Sequence, residues 1–227
     1  MATALLAAAG TGERLGVGVP KALVELAGRP MAAWSLLALE AAASIDRVVI
    51  AAPPGREADL EALAQELAPG LAARIVPGGA SRSESVSRAL GEAAGASMVL
   101  VHDAARPLVT DELIDRCVSQ LEHWGCDGVV AAARAVDTIK ESDSGGRVIA
   151  TLERSRLWAV QTPQVFRLES LEQALAGGDL SRAYDDAQLV EAAGGDVRIV
   201  EAPRQNLKIT TSQDLRVAAW LLEERAS

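Results

Sequence analysis

The sequence predicts an α/β fold, a mostly parallel doubly wound sheet from which a β-hairpin protrudes. Short apolar runs recur at Thr3–Ala8, Arg47–Ala52, Arg74–Val76, Met98–His102 and Gly128–Ala133. They are continuous rather than alternating, as in strands covered on both faces. Helical patterns separate them, and strand–helix alternation of this kind belongs to doubly wound sheets. The rhythm breaks between Val136 and Trp158, where DTIKES and RVIATLE flank the turn signal Asp143-Ser144-Gly145-Gly146. A lone hairpin is marginal in water, so this one is either an edge hairpin on the same sheet or an arm that embraces a second subunit.

Each remaining element has a local reason. Pro30 suits the first helical position before MAAWSLLALEAAA, because its φ is already helical and its missing N–H would be unpaired there. Arg56–Leu67 carries Leu60, Leu63 and Leu67 at helical spacing. Thr110 is a suitable N-cap, with Asp111 and Glu112 in the first turn favouring the helix dipole. After WAVQTPQVF, one helix begins at Leu168 and another runs from about Asp185 to Ala193. Short strands are expected at Val197–Glu201 and Leu207–Ile209, and Thr211 or Ser212 caps a last helix. Leu215, Ala219 and Leu222 of that helix face inward, and Leu222 to Ser227 is expected to fray.

A chain of 227 residues accommodates one large α/β domain or two small ones. Hydrophobic residues make up 49% and aromatics only 3%, so the core is built mainly from Ala, Val and Leu. The net charge of −9 and the lack of Lys/Arg runs argue against nucleic acid as a partner. An acidic enzyme can still take anionic ligands if its cleft gathers the cations. Cys117 and Cys126 lack zinc-ligand spacing and read as packing residues in a reducing cytoplasm. His102 and His123 are too scattered for a metal cluster. The start lacks the basic segment of a signal peptide, and no apolar run approaches the ~20 residues of a membrane span.

The richest stretch is Leu6 to Lys21, LAAAGTGERLGVGVPK. Gly10, Gly12 and Gly16 let the main chain turn tightly and bring N–H groups close to an anion. A dinucleotide unit would open a long helix here and place an acidic residue after the next strand. Instead Gly18 and Pro20 follow, and RVVIAAPP ends without a carboxylate. Lys21 is followed by Ala22, not the Ser or Thr of a Walker A loop. The loop is expected to stay extended over a phosphate-bearing ligand and to present Arg14 and Lys21 to it.

Three further segments carry polar groups to the strand ends. PGGASRSES, Pro77 to Ser85, is either a ligand-binding helix start or an ordinary strand-to-helix turn with a serine cap. In VLVHDAARP, Asp103 lies beyond the carboxyl end of a buried strand, where it either holds Mg²⁺ or caps a turn with Arg106 as its partner. In NLKIT, Lys208 points opposite to Leu207 and Ile209, into a cleft or into solvent.

In order, LAAAGTGERLG, VPK, GGASRSESV, VLVHDAARP, DTIKE, LWAVQTPQVF and NLKIT resemble the 2-C-methyl-D-erythritol 4-phosphate cytidylyltransferases of the non-mevalonate isoprenoid pathway. The matching pieces span residues 5 to 210, HDAARP and TPQ being the most diagnostic. The resemblance implies a Rossmann-like sheet of the nucleotidyltransferase type, with residues 1–227 as a single domain and 136–158 as its dimerisation arm. It implies a cytoplasmic homodimer with Mg²⁺ as cofactor and CTP as co-substrate, releasing pyrophosphate, without nucleic acid or membrane as partner.

By the family pattern, Arg14, Lys21 and Lys208 are catalytic, and Asp103 holds the metal and contacts the nucleotide. Ala8, Ala9, Gly10, Thr11, Gly12, Gly78, Gly79 and Ser85 hold cytidine. Arg106, Thr138, Arg154 and Thr162 bind methylerythritol phosphate, Arg154 reaching across from the partner's arm. Two positions depart from the pattern. Ala80 replaces a frequent Asp, and Tyr184 replaces a threonine and is left out of the substrate site. The alternatives are a cytidylyltransferase for another polyol phosphate such as ribitol 5-phosphate, a silent nucleotide-binding domain, and, more weakly, a nicotinamide-dependent reductase.

Overall fold

The apolar runs become strands, and all but the exposed edge strand at Ala72–Pro77 are largely buried on both faces. The computed structural model describes residues 1–16, 18–180 and 183–226, without the side chains of Arg14 and Ala226. The elements are β1 (Ala2–Ala7), β2 (Glu25–Leu26), β3 (Arg29–Pro30), α1 (Met31–Ala41), β4 (Ile45–Ala52), α2 (Glu57–Leu67) and β5 (Ala72–Pro77). There follow α3 (Arg82–Gly91), β6 (Met98–Asp103), α4 (Asp111–Trp124), β7 (Gly128–Arg134), β8 (Lys140–Ser142) and β9 (Val148–Thr151). The chain closes with β10 (Trp158–Arg167), α5 (Leu168–Gly177), α6 (Asp186–Ala192), β11 (Val197–Glu201) and α7 (Ser212–Ala226).

Strand periodicity divides the core between the two faces of the sheet. Leu6, Ile50 and Leu100 meet Leu36 of α1, Leu60 of α2 and Ile114 of α4 on one face. Their neighbours Leu5, Val49 and Val101 meet Val86 of α3, Leu171 of α5 and Leu189 of α6 on the other. Each such side chain contributes about 1.5–3 kcal/mol by leaving water. A third cluster packs Ala218 and Leu222 of α7 against Leu26, Met31 and Leu108.

The main sheet has seven strands in the order β11-β7-β10-β6-β1-β4-β5. All pairings are parallel except those of β10, which runs antiparallel between β6 and β7. Its register against β7 shifts between Val160 and Gln164. Pro163 lies in that irregularity, where a residue without an N–H costs no ladder bond.

Several expectations shift. Pro30 is the N-cap of α1 and ends β3, with ψ 143°, so the helix starts one residue later. Leu207–Ile209 is not a strand; it is tied down by the N–H of Ile209, which donates to Ala105 O at 2.8 Å. The last helix stays helical to Ala226 instead of fraying from Leu222, because Arg225 Nη2 donates to Leu108 O and Leu222 is buried; Ser227 lies outside the described residues. The hairpin β8–β9 forms its own two-stranded sheet and does not extend the main one.

Phe166, the chain's only phenylalanine, is fully buried on β10 and fills the space beside Gly128, where a Cβ would stand 2.8 Å from its Cδ1. Phe166→Ala should lower the unfolding free energy by about 3–5 kcal/mol, read from urea denaturation.

Candidate active site

The strand order fixes where a ligand fits. Crossovers from β1 proceed to β4 and β5 on one side, and the next strand, β6, lies on β1's other side. Loops leaving β1 and β6 therefore diverge, which opens a crevice at their carboxyl ends. A cleft of about 480 Å³ occupies it, lined by Ala8, Ala9, Gly10, Thr11, Gly12, Lys21, Gly79, Ser85, Asp103 and Lys208. Most of the nucleotide and catalytic residues expected from the sequence thus meet in one place.

The glycine loop is not extended as expected. It folds into single 3₁₀ turns at Glu13–Leu15 and Lys21–Leu23. Gly12 makes the first possible with φ 77°, a left-handed conformation that costs other residues strain. Leu15 N–H then bonds Gly12 O, and Lys21 N–H bonds Gly10 O at 3.0 Å, closing the loop on itself. Arg14 lies in the first turn, and its side chain is outside the described residues.

Gly78 is absent from the cleft lining and acts behind it. A Cβ there would stand 2.1 Å from Ala9 Cβ, so only glycine lets the α3 entry approach the loop after β1. Ser81 caps α3 by accepting from Glu84 N, and Glu84 Oε2 accepts from Ala80 N at 2.8 Å. Gly79 N–H donates to Ser85 Oγ, which itself donates to Ser81 O. The amides of Gly79 and Ala80 are thus engaged within their own helix start.

Asp103 ends β6 with its carboxylate only 8% exposed. It does not pair with Arg106. Arg82 Nε donates to Oδ1 at 2.7 Å and Lys208 Nζ to Oδ2 at 2.6 Å. Burial alone raises the Asp103 carboxyl, but these two cations overcome it and hold the group well below the usual carboxylate range. Lys208 is accordingly a cleft cation and not a solvated edge lysine. Arg82, to which sequence reasoning assigned no role, also donates through Nη1 to Asp186 Oδ2 at 2.8 Å. The signal available was an arginine at a helix start just after a glycine pair.

A smaller hollow of about 220 Å³ adjoins the cleft and shares Arg82, Asp103 and Lys208 with it. Arg106 and Thr162 line it, as does Tyr184, which is 93% exposed and was left out of the site. Arg106 is held by donating to Asn206 O at 2.9 Å and Val160 O at 3.3 Å. Thr162 is buried and its hydroxyl is committed. It accepts from Asp103 N–H at 3.1 Å and donates to His102 Nδ1 at 3.0 Å. That leaves the His102 proton on Nε2, facing Arg106 O at 3.2 Å. Thr138 and Arg154 border neither hollow; they belong to the exposed region around the hairpin, where Arg154 Nη1 donates to Val136 O.

Residues 2–224 match the family described as "IspD: 2-C-methyl-D-erythritol 4-phosphate cytidylyltransferase". The protein of that name from Synechococcus elongatus is 43% identical over 230 residues, covering 97% of this chain and 96% of the relative. A crystal structure of that name from Thermus thermophilus superposes with a TM-score of 0.78 at 34% identity, covering 98% of both chains. The fold alone is shared with the 4-diphosphocytidyl-2C-methyl-D-erythritol synthase of Anaerococcus prevotii, TM-score 0.87 at 24% identity over 98% of this chain and 96% of that one.

Burial pushes the His102 imidazole down from about 6.5 to about 4. Between those values the unfolded chain takes up a proton that the native state refuses, so stability falls as pH drops through that window. His102→Asn should remove this component. Its unfolding free energy from urea titrations should depend less steeply on pH than the parent's, by up to about 1.4 kcal/mol per pH unit.

Proposed function

The chain belongs to the 2-C-methyl-D-erythritol 4-phosphate cytidylyltransferase family, and from that premise we propose how its cleft works. The protein converts 2-C-methyl-D-erythritol 4-phosphate and CTP to 4-diphosphocytidyl-2-C-methyl-D-erythritol and pyrophosphate. In our reading CTP occupies the larger hollow and the polyol phosphate the smaller one. The observation that carries this assignment is the sharing of Asp103 and Lys208 by both hollows, at the point where the reacting phosphates must meet.

A phosphate oxygen of the acceptor attacks the CTP α-phosphorus in line, and pyrophosphate leaves. The nucleophile is already an anion and needs no general base. Crowded negative charge is the obstacle, so preorganised cations carry the rate. Lys21 lines the cleft where the leaving pyrophosphate would lie, Lys208 serves the α-phosphate, and Arg14 is assigned to the pyrophosphate by the family pattern alone. Arg106 steadies the acceptor phosphate, while Thr162, its hydroxyl committed inside the protein, holds the wall of that hollow.

Asp103 suits Mg²⁺. It is ionised, and each carboxylate oxygen carries one donor, which leaves a lone pair on each. Among the described residues no group of three His, Cys, Asp or Glu could hold a metal. Asp103 would hold the ion with few other protein ligands, the triphosphate and water supplying the rest, as Mg²⁺ prefers. When bound, the ion neutralises triphosphate charge.

We propose residues 1–227 as one cytidylyltransferase domain and the segment 136–158 as its dimerisation arm. Val148 and Ile149 on the arm are exposed, Ile149 by 62%, and a two-stranded hairpin with apolar flanks gains stability by packing on a partner. Thr138 and Arg154 would then complete the acceptor hollow of the other protomer. No helix among the described residues is long and apolar enough to cross a membrane, and the buried free thiols of Cys117 and Cys126 suit a cytoplasmic location.

Pyrophosphate release with Mg²⁺ and CTP should occur with methylerythritol 4-phosphate and not with ribitol 5-phosphate; the reverse would overturn the acceptor assignment. In that assay Lys21→Ala should raise the barrier by about 3–4 kcal/mol with CTP binding largely retained, whereas unchanged turnover would remove Lys21 from the chemistry. Arg154→Ala should raise the acceptor KM and leave CTP affinity intact. A collapse of CTP binding would place Arg154 elsewhere.

A further inference from the structure

We propose that Arg82 is a positioning residue for this reaction, bridging Asp103 at the end of β6 and Asp186 at the start of α6, and so setting how Asp103 holds Lys208 between the two hollows. The proposal rests on the reading of Asp103 and Lys208 as groups at the reacting phosphates.

The geometry leaves Arg82 little freedom. Its side chain is 26% exposed, clasped between carboxylates that are 8% and 0% exposed. Nε is committed to Asp103 Oδ1 and Nη1 to Asp186 Oδ2. The two acids stand on different elements, Asp103 at the end of β6 and Asp186 at the start of α6, and of the two only Asp103 lines the smaller hollow. A planar guanidinium holds two carboxylates at a fixed mutual angle, which a lysine ammonium, a rotatable point charge, does not.

This arrangement determines what Lys208 can do. A buried carboxylate with both oxygens available would draw the ammonium into a symmetric, tightly neutralised pair. With Arg82 Nε on Oδ1, Asp103 meets Lys208 at one point, through Oδ2. The ammonium is thereby placed by Asp103 without being fully consumed by it, and its remaining donors can serve phosphate oxygens.

Stability is a poor reason for such a group. Asp186 has no exposure, and its Oδ1 has no hydrogen-bond partner among the described residues. Burial raises its carboxyl, and Arg82 offsets only part of that. Buried ion pairs tend to be replaceable by apolar residues without loss of stability. An incompletely satisfied one that borders both hollows through Arg82 fits a role in placement.

The test compares Arg82→Lys, Asp186→Asn and Lys208→Ala with the parent, measuring kcat, acceptor KM, calorimetric affinity for Mg²⁺-CTP and the thermal midpoint. Arg82→Lys keeps the charge and loses the fork, so kcat should fall by about 10–100-fold while CTP affinity and KM stay near parent values. A role in charge balance or folding alone would be rescued by lysine, and parent-like turnover overturns the proposal. Should Arg82→Lys fail to fold, Asp186→Asn decides. It preserves shape and removes only the anchor, so a fall in kcat at unchanged CTP affinity supports the proposal, and unchanged kcat overturns it. Parent-like turnover in Lys208→Ala would show that the underlying reading of the site had failed. Slow Lys208→Ala beside fast Arg82→Lys would show that only the role of Arg82 had.

Discussion

A carboxylate cannot stay ionised inside a protein without cations at hand, and Asp103 forces that condition on the centre of this fold. It closes the fully buried strand β6, one residue past His102. The groups that compensate it come from distant parts of the chain, Arg82 from the first turn of α3 and Lys208 from the segment beyond β11. The charges that would act on phosphates therefore double as the charges that make the site's own acid tolerable. Elements on the β5 side and the C-terminal side of the sheet must both be in place before the site exists.

The antiparallel strand β10 does the corresponding work for the smaller hollow. Its irregularity between Val160 and Gln164 releases Gln161 and Thr162 from the β7 ladder. The freed groups are taken up by buried partners. Asn206 Nδ2 donates to Gln161 Oε1 and Thr162 O, both at 2.8 Å, and the Thr162 hydroxyl links Asp103 N–H to His102. This polar seam fixes the chain on either side of Lys208 without a strand, and it explains why a histidine of low basicity belongs beneath the site. A neutral ring serves as acceptor and donor at once, which an imidazolium cannot.

The hairpin of β8 and β9 stands apart from the main sheet. Its two strands pair only with each other, and apolar side chains on it face outward. Its turn is nonetheless well made, with Asp143 Oδ1 accepting from the N–H groups of Gly145 and Arg147.

The sequence by itself determined the class of fold, because continuous apolar runs and helical spacing are local consequences of burial on two faces. It also determined the ligand end of the sheet, since glycines at Gly10 and Gly12, the caps at Ser81 and Thr110, and Asp103 after a buried strand are all short-range signals. Tertiary structure alone decided three matters. It set β10 antiparallel in mid-sheet, because the hairpin returns the chain in reverse and strand direction has no local signature. It gave Leu207–Ile209 side-chain anchors in place of a ladder. It chose Arg82 over Arg106 as the partner of Asp103. Arg106 is only three residues from Asp103, yet the turn after β6 sends its guanidinium towards Asn206 and Val160. Ion pairs between residues far apart in sequence depend on the relative placement of whole elements, and packing, not spacing, supplies that.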